Sequence, residues 1–139
     1  MANDYYEHLA QIPLFEGLDR HDLELVGRAT TELTIDAGHV LMREGGTAHE
    51  MVVVLDGTLE VTRGGKYIAD IGPGGFAGEM ALLTHSHRNS TVTSKTKVTV
   101  LHIDGRAFSS VLDEAPRIAL KMLPIVAGRI TENSASHTN

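Results

Sequence analysis

The 139-residue sequence predicts one mainly β domain, a barrel or jelly roll with helices at both ends. Three observations carry this expectation. Between Thr31 and Ile103, short runs with alternating apolar residues recur at close spacing, separated by glycine-rich turns. Outside that stretch the apolar residues recur three and four apart, the period of a helix. Hydrophobic residues make up 42% of the chain, enough for a core of its own.

The elements follow in order. Asn3 or Asp4 is placed to cap a short first helix carrying Tyr5, Leu9 and Ile12, which Pro13 stops. Asp19-Arg20-His21-Asp22 has the character of an N-terminal cap for a second helix with Leu23, Val26 and Ala29 on one face. Leu33 and Ile35 then alternate with polar residues, Asp36-Ala37-Gly38 turns the chain, and His39 to Arg43 forms the next run. The apolar run Met51–Leu55 follows the turn at Glu44-Gly45-Gly46-Thr47. Asp56-Gly57 predicts a hairpin into Thr58–Thr62, and Gly64-Gly65 a second into Tyr67–Ile71. Thr91–Thr93 and Val98–Ile103 complete the strands. Asp104 is placed to cap a helix with Phe108, Val111 and Leu112, and Pro116 starts another, rich in Ile, Leu, Met and Val. Pro124 inside it removes the hydrogen bond to the Leu120 carbonyl and is expected to kink or break the helix. The polar stretch Thr131–Asn139 is expected to fray.

Residues 72–92, GPGGFAGEMALLTHSHRNSTV, carry the chemistry. From Gly72 to Gly78 every residue except Phe76 is Gly, Pro or Ala, so backbone N–H groups there can approach a ligand closely. Glu79-Met80-Ala81-Leu82 reads as a helical turn whose first N–H groups suit an anion. Arg88 is the only Lys or Arg between Lys66 and Lys95, and a guanidinium suits bidentate phosphate binding. An acid beside a phosphate cradle makes sense if the ligand also carries a sugar hydroxyl, which a carboxylate accepts. The stretch therefore asks for a phosphate and a ribose held close together.

Gly78-Glu79-Met80-Ala81-Leu82-Leu83, followed after four residues by Arg88-Asn89-Ser90-Thr91-Val92, resembles the phosphate-binding cassette of cyclic nucleotide-binding domains. These are the cAMP-sensing modules of catabolite activator proteins and cAMP-dependent protein kinase regulatory subunits. The Gly78-to-Arg88 spacing matches the kinase type without a gap. With Pro13-Leu14-Phe15, Gly57 and the C-terminal helical segment, the resemblance covers nearly the whole chain. It implies an eight-stranded antiparallel β-roll (a double-stranded β-helix, or jelly roll) over residues 31–103, with the cassette at 76–92. It also implies N-terminal helices over 1–30 and C-terminal lid helices over 104–132. On this resemblance Glu79 takes the ribose 2′-hydroxyl and Arg88 the cyclic phosphate, with N–H groups around Gly78, Met80 and Ala81. Asn89 and Ser90 depart from the usual small residues after the arginine, and Asn89 has donors for either a phosphate or a purine edge. The ligand expected is cAMP in preference to cGMP. Asn133 and Ser134 stand at the base-contacting positions of the lid, and Arg129, one turn earlier, is a candidate to stack on the purine.

Composition bounds the alternatives. The net charge of −6 argues against a nucleic-acid surface, and no helix-turn-helix is expected, so direct DNA binding is not. Zero cysteines exclude disulfides, thiolate metal sites and cysteine nucleophiles. The acidic start is unlike a signal peptide, and no apolar run approaches the ~20 residues of a membrane span, so a cytoplasmic protein is expected. A cupin-type metal enzyme shares the architecture. However, Glu50 and Gly57 match only the second half of a cupin motif, the preceding histidine pair is missing, and His85 and His87 read as solvated. A non-catalytic receptor with no cofactor is expected, signalling through a protein partner or self-association on its C-terminal helix. The alternative is a module without ligand, serving as an interaction scaffold.

Overall fold

A computed structural model of the chain describes the backbone of residues 2–138 and the side chains of residues 6–131. The N-terminal part holds α1 (Ala2–Ala10), a 3₁₀ turn at Pro13–Phe15 and α2 (Arg20–Ala29). Asp19 caps α2 as predicted, its carboxylate accepting from the Asp22 N–H at 2.8 Å. By contrast, α1 already contains Asn3 and Asp4, the residues expected to precede it. The side chain of Tyr5 lies outside the described residues.

Eight strands follow: β1 (Thr31–Ile35), β2 (Val40–Met42), β3 (Glu50–Asp56), β4 (Leu59–Arg63), β5 (Lys66–Ile71), β6 (Phe76–Ala77), β7 (Thr91–Ser94) and β8 (Val98–Asp104). They form two antiparallel four-stranded sheets, in the orders β1-β8-β3-β6 and β2-β7-β4-β5. This is the mainly β roll with flanking helices that the cassette implied. Periodicity alone had missed β6, because two residues carry no period.

The two predicted hairpins fare differently. Gly64 and Gly65 have φ of 59° and 78°, the left-handed pair that closes a two-residue turn, and β4 pairs with β5 across it. Asp56-Gly57 makes no hairpin: β3 and β4 lie in different sheets and do not pair, and instead run against β8 and β7 in nearly continuous register. It is a crossing from one sheet to the other. A β-carbon on Gly57 would stand 2.3 Å from the Lys97 carbonyl oxygen, so glycine is required there for space as well as for its φ of 85°.

The apolar run in β3 is explained by the two layers it separates. Met51 and Val53 face a helix-side core with Leu9, Phe15, Val26, Phe108, Val111 and Ile118. Val52 and Val54 face the inter-sheet core with Met42, Leu59, Val92, Val98 and Val100. Successive strand residues point to opposite faces, so a strand buried on both sides is apolar throughout.

Beyond β8, Asp104 caps α4 (Gly105–Glu114) by accepting from the Ala107 N–H at 2.8 Å. The last helix, α5 (Pro116–Thr138), is continuous through Pro124, so the proline does not break it, and it runs through most of the stretch expected to fray. Ile118 and Met122 dock on the helix-side core, while Leu120, Leu123 and Ile130 are 66%, 58% and 51% exposed. Among the described residues no helix is long and apolar enough to cross a membrane.

Candidate functional site

Between β6 and β7 the chain leaves the sheet, forms α3 (Glu79–Thr84) and returns through an irregular segment containing Arg88. Gly78 starts α3 with φ of 94°. A β-carbon there would meet the Met42 methyl at 2.6 Å, Arg88 Nη1 at 2.8 Å and the Glu50 carbonyl oxygen at 2.9 Å. Glycine is what allows the arginine to lie against the backbone at this point.

Arg88 is 6% exposed. Its Nη1 donates to the Gly78 carbonyl at 2.8 Å, and its Nη2 to the Glu50 carbonyl. The Glu50 carboxylate lies 3.4 Å from Nη2. Its backbone is pinned as well: the Arg88 N–H donates to the Gly46 carbonyl at 2.9 Å, and the Gly45 N–H to the Arg88 carbonyl at 2.8 Å. Burial pulls the guanidinium below its ordinary pKa, while Glu50 and Glu79 pull it back up.

Glu79, at the start of α3, is 1% exposed. Its charge is balanced by Arg129 of α5, 26% exposed, whose Nη1 donates to both carboxylate oxygens, to Oε2 at 2.7 Å. Arg129 Nη2 donates to the Phe76 carbonyl at 2.6 Å, and the guanidinium lies 4.9 Å from the Phe76 ring centroid. The C-terminal helix α5 is thus tied directly to the acid of the cassette.

These groups surround one cavity of about 300 Å³, and Gly78, Glu79, Met80, Ala81, Arg88, Asn89, Ser90 and Arg129 all line it. The side chains of Asn133 and Ser134 lie outside the described residues. Further lining comes from β4 and β5, including Arg63, Ile68 and Ile71, and from Pro124, Ile125 and Gly128 of α5. The cavity offers guanidinium donors, a carboxylate acceptor and an apolar wall, which suits a compact molecule with an anion, a hydroxyl and a flat ring.

Sequence reasoning missed Glu50 and Arg63. Both reach the cassette only through contacts 26 to 38 residues distant in the chain, so no local signal marks them. His85 ends α3 in the left-handed conformation (φ 54°), and both it and His87 are exposed. Among the described residues no three His, Cys, Asp or Glu side chains converge as a metal site.

The family model described as the cyclic nucleotide-binding domain matches residues 32–115. The chain is 28% identical over 112 residues to a cAMP-dependent protein kinase regulatory subunit of Schizosaccharomyces pombe, covering 80% of this chain and 27% of that one. It is 32% identical over 114 residues to a cyclic nucleotide-gated potassium channel of Mesorhizobium japonicum, covering 82% and 32%. The chain thus spans about a quarter to a third of these relatives. In shape it is similar to the regulatory subunit of a cAMP-independent protein kinase A from Trypanosoma brucei, with a TM-score of 0.82 at 21% identity, over 99% of this chain and 49% of that one. The family match spans most of the chain and includes the whole cassette, from the left-handed glycine to the buried arginine; this protein belongs to the cyclic nucleotide-binding domain family.

Proposed function

We propose that the chain binds cAMP in preference to cGMP and acts as a cytoplasmic, non-catalytic receptor. The single observation that carries this is the pairing, in one cavity, of a buried arginine at the end of the cassette with a buried glutamate at its start. Arg88 and the N–H groups around Gly78, Met80 and Ala81 hold the cyclic phosphate, and Glu79 accepts from the ribose 2′-hydroxyl. Each hydrogen bond to the anion is worth about 1.5–3 kcal/mol.

Because Arg129 already donates to Glu79, a sugar hydroxyl arriving there shares the carboxylate with the lid helix. Ligand occupancy therefore bears on where α5 sits, and the shift is as large as the ligand's preference for one placement over the other. The signal would leave through the apolar face of α5, to a protein partner or a second copy, with no direct contact to DNA.

A second reading has one specific observation in its favour. Arg88 and Glu79 are both satisfied by protein groups, so the cavity holds together electrostatically without a ligand. A relative in shape is the regulatory subunit of a cAMP-independent kinase, which fits a module that takes another ligand or serves as a scaffold. Calorimetric titration with cAMP and cGMP, with Arg88→Ala as control, separates the two. Heat with cAMP that Arg88→Ala abolishes supports the receptor. Silence with both nucleotides, from folded protein, turns the assignment to the scaffold.

A further inference from the structure

Thr91 opens the pairing of β7, which runs between β2 and β4. Arg88, Asn89 and Ser90 precede it and belong to no strand, so the sheet ladder does not hold them. Other groups do, from both flanks. On the β2 side, the bonds that Gly45 and Gly46 make to Arg88 are joined by a third, from the Glu44 N–H to Thr91 Oγ1 at 3.0 Å. On the β4 side, Arg63 Nε donates to the Asn89 carbonyl at 2.9 Å and Nη2 to the buried Ser90 hydroxyl at 3.0 Å. The two flanks are themselves joined, since the Gly64 N–H donates to Glu44 Oε1 at 2.8 Å. A ring of hydrogen bonds thus surrounds the segment that carries Arg88. Two side chains close it, Glu44 and Arg63. Arg63 lines the cavity, whereas Glu44 lies outside its lining.

We propose that Glu44 and Arg63 are positioning residues, which close this ring and fix the Arg88 backbone ahead of any ligand. A guanidinium with a fixed root needs little further ordering when the anion arrives. Opening the ring at either side chain lets residues 88–90 move, and binding must then order them. That the anion is a cyclic phosphate rests on the receptor reading above; the ring itself does not. Glu44 separates this account from plain electrostatics. A carboxylate near an anion site opposes the anion through space, so deleting it would tighten binding if charge alone counted. Positioning predicts the opposite sign.

Calorimetric titration of cAMP reads that sign. Glu44→Ala is expected to weaken binding about three- to tenfold, and Glu44→Gln, whose oxygen still accepts from Gly64, to restore it. Arg63→Ala is expected to lose a similar factor, and Arg63→Lys to fall between, because one ammonium stands in for a fork that meets two acceptors. With both alanine changes the loss should stay below the product of the single losses, since either one opens the same ring. Glu44→Ala that binds as well as wild type or better, Glu44→Gln that binds as weakly as Glu44→Ala, or losses that multiply, overturn the proposal. Amide hydrogen exchange needs no nucleotide. The N–H groups of Arg88 and Gly45 are expected to exchange about tenfold faster in Glu44→Ala and in Arg63→Ala, with those of β3 and β8 unchanged. Unaltered exchange at Arg88 overturns the ring whether or not nucleotide binds. If cAMP gives wild type no heat while those amides respond, the ring stands and the cyclic nucleotide reading falls.

Discussion

Arg129 and Glu79 differ in how each would fare alone. Glu79 is 1% exposed with Arg129 lying against its carboxylate, whereas Arg129 is 26% exposed and can swing out. Removing one partner of a buried pair costs about 3–5 kcal/mol when the other charge is trapped. Arg129→Ala is therefore expected to lower denaturant stability more than Glu79→Ala, and adding Glu79→Gln to Arg129→Ala to recover part of the loss. Equal effects of the two single changes in urea unfolding would contradict the trapped-charge account. Gly78→Ala tests space and backbone together. It forces φ of 94° on a residue with a side chain and pushes a methyl against Arg88 Nη1, so about 1–3 kcal/mol of stability and most nucleotide affinity are expected to go. Glu79 and Arg88 could be picked from sequence because the cassette is a local motif, held within a dozen residues. Arg63 and Glu50 could not, since their relation to the cassette exists only once β4 and β3 lie beside it.

Among elements, α5 has two different surfaces. Ile118 and Met122 fix it to the core, while Leu120, Leu123, Ala127 and Ile130 face outward at spacings of three, four and three. That spacing matches an apolar seam of the sort that meets another helix. Leu123→Glu is expected to leave the unfolding midpoint within about 0.5 kcal/mol of wild type. It should also abolish any concentration-dependent association seen by sedimentation. A variant that associates like wild type would move the contact to another face. Sequence patterns placed these helices and strands well, because caps such as Asp19 and Asp104 act within three residues. They failed where partners are distant: Asp56-Gly57 has the composition of a hairpin, but β3 and β4 pair with β8 and β7, much later in the chain, and not with each other. Pro124 illustrates a different limit. The loss of one hydrogen bond was legible, but not that a long helix, anchored by Ile118 and Met122, would carry on past it.

At the scale of the molecule, binding and stability are linked. If the closed, Arg129-tied arrangement is what cAMP selects, ligand at about 100 times its Kd should add about 2.7 kcal/mol to unfolding. Thermal scans with and without cAMP, repeated on Arg88→Ala, check this, and an equal midpoint in all four would sink it. The strand β3 has a bearing of its own on how the molecule comes apart. It is a party wall: Met51 and Val53 belong to the room shared with the helices, Val52 and Val54 to the room between the sheets. Stripping either room bares one face of the wall, so the packing of each supports the other. Loosening the helices should therefore reach the sheet interior, and chain opening should register as a single event on both sides of the wall.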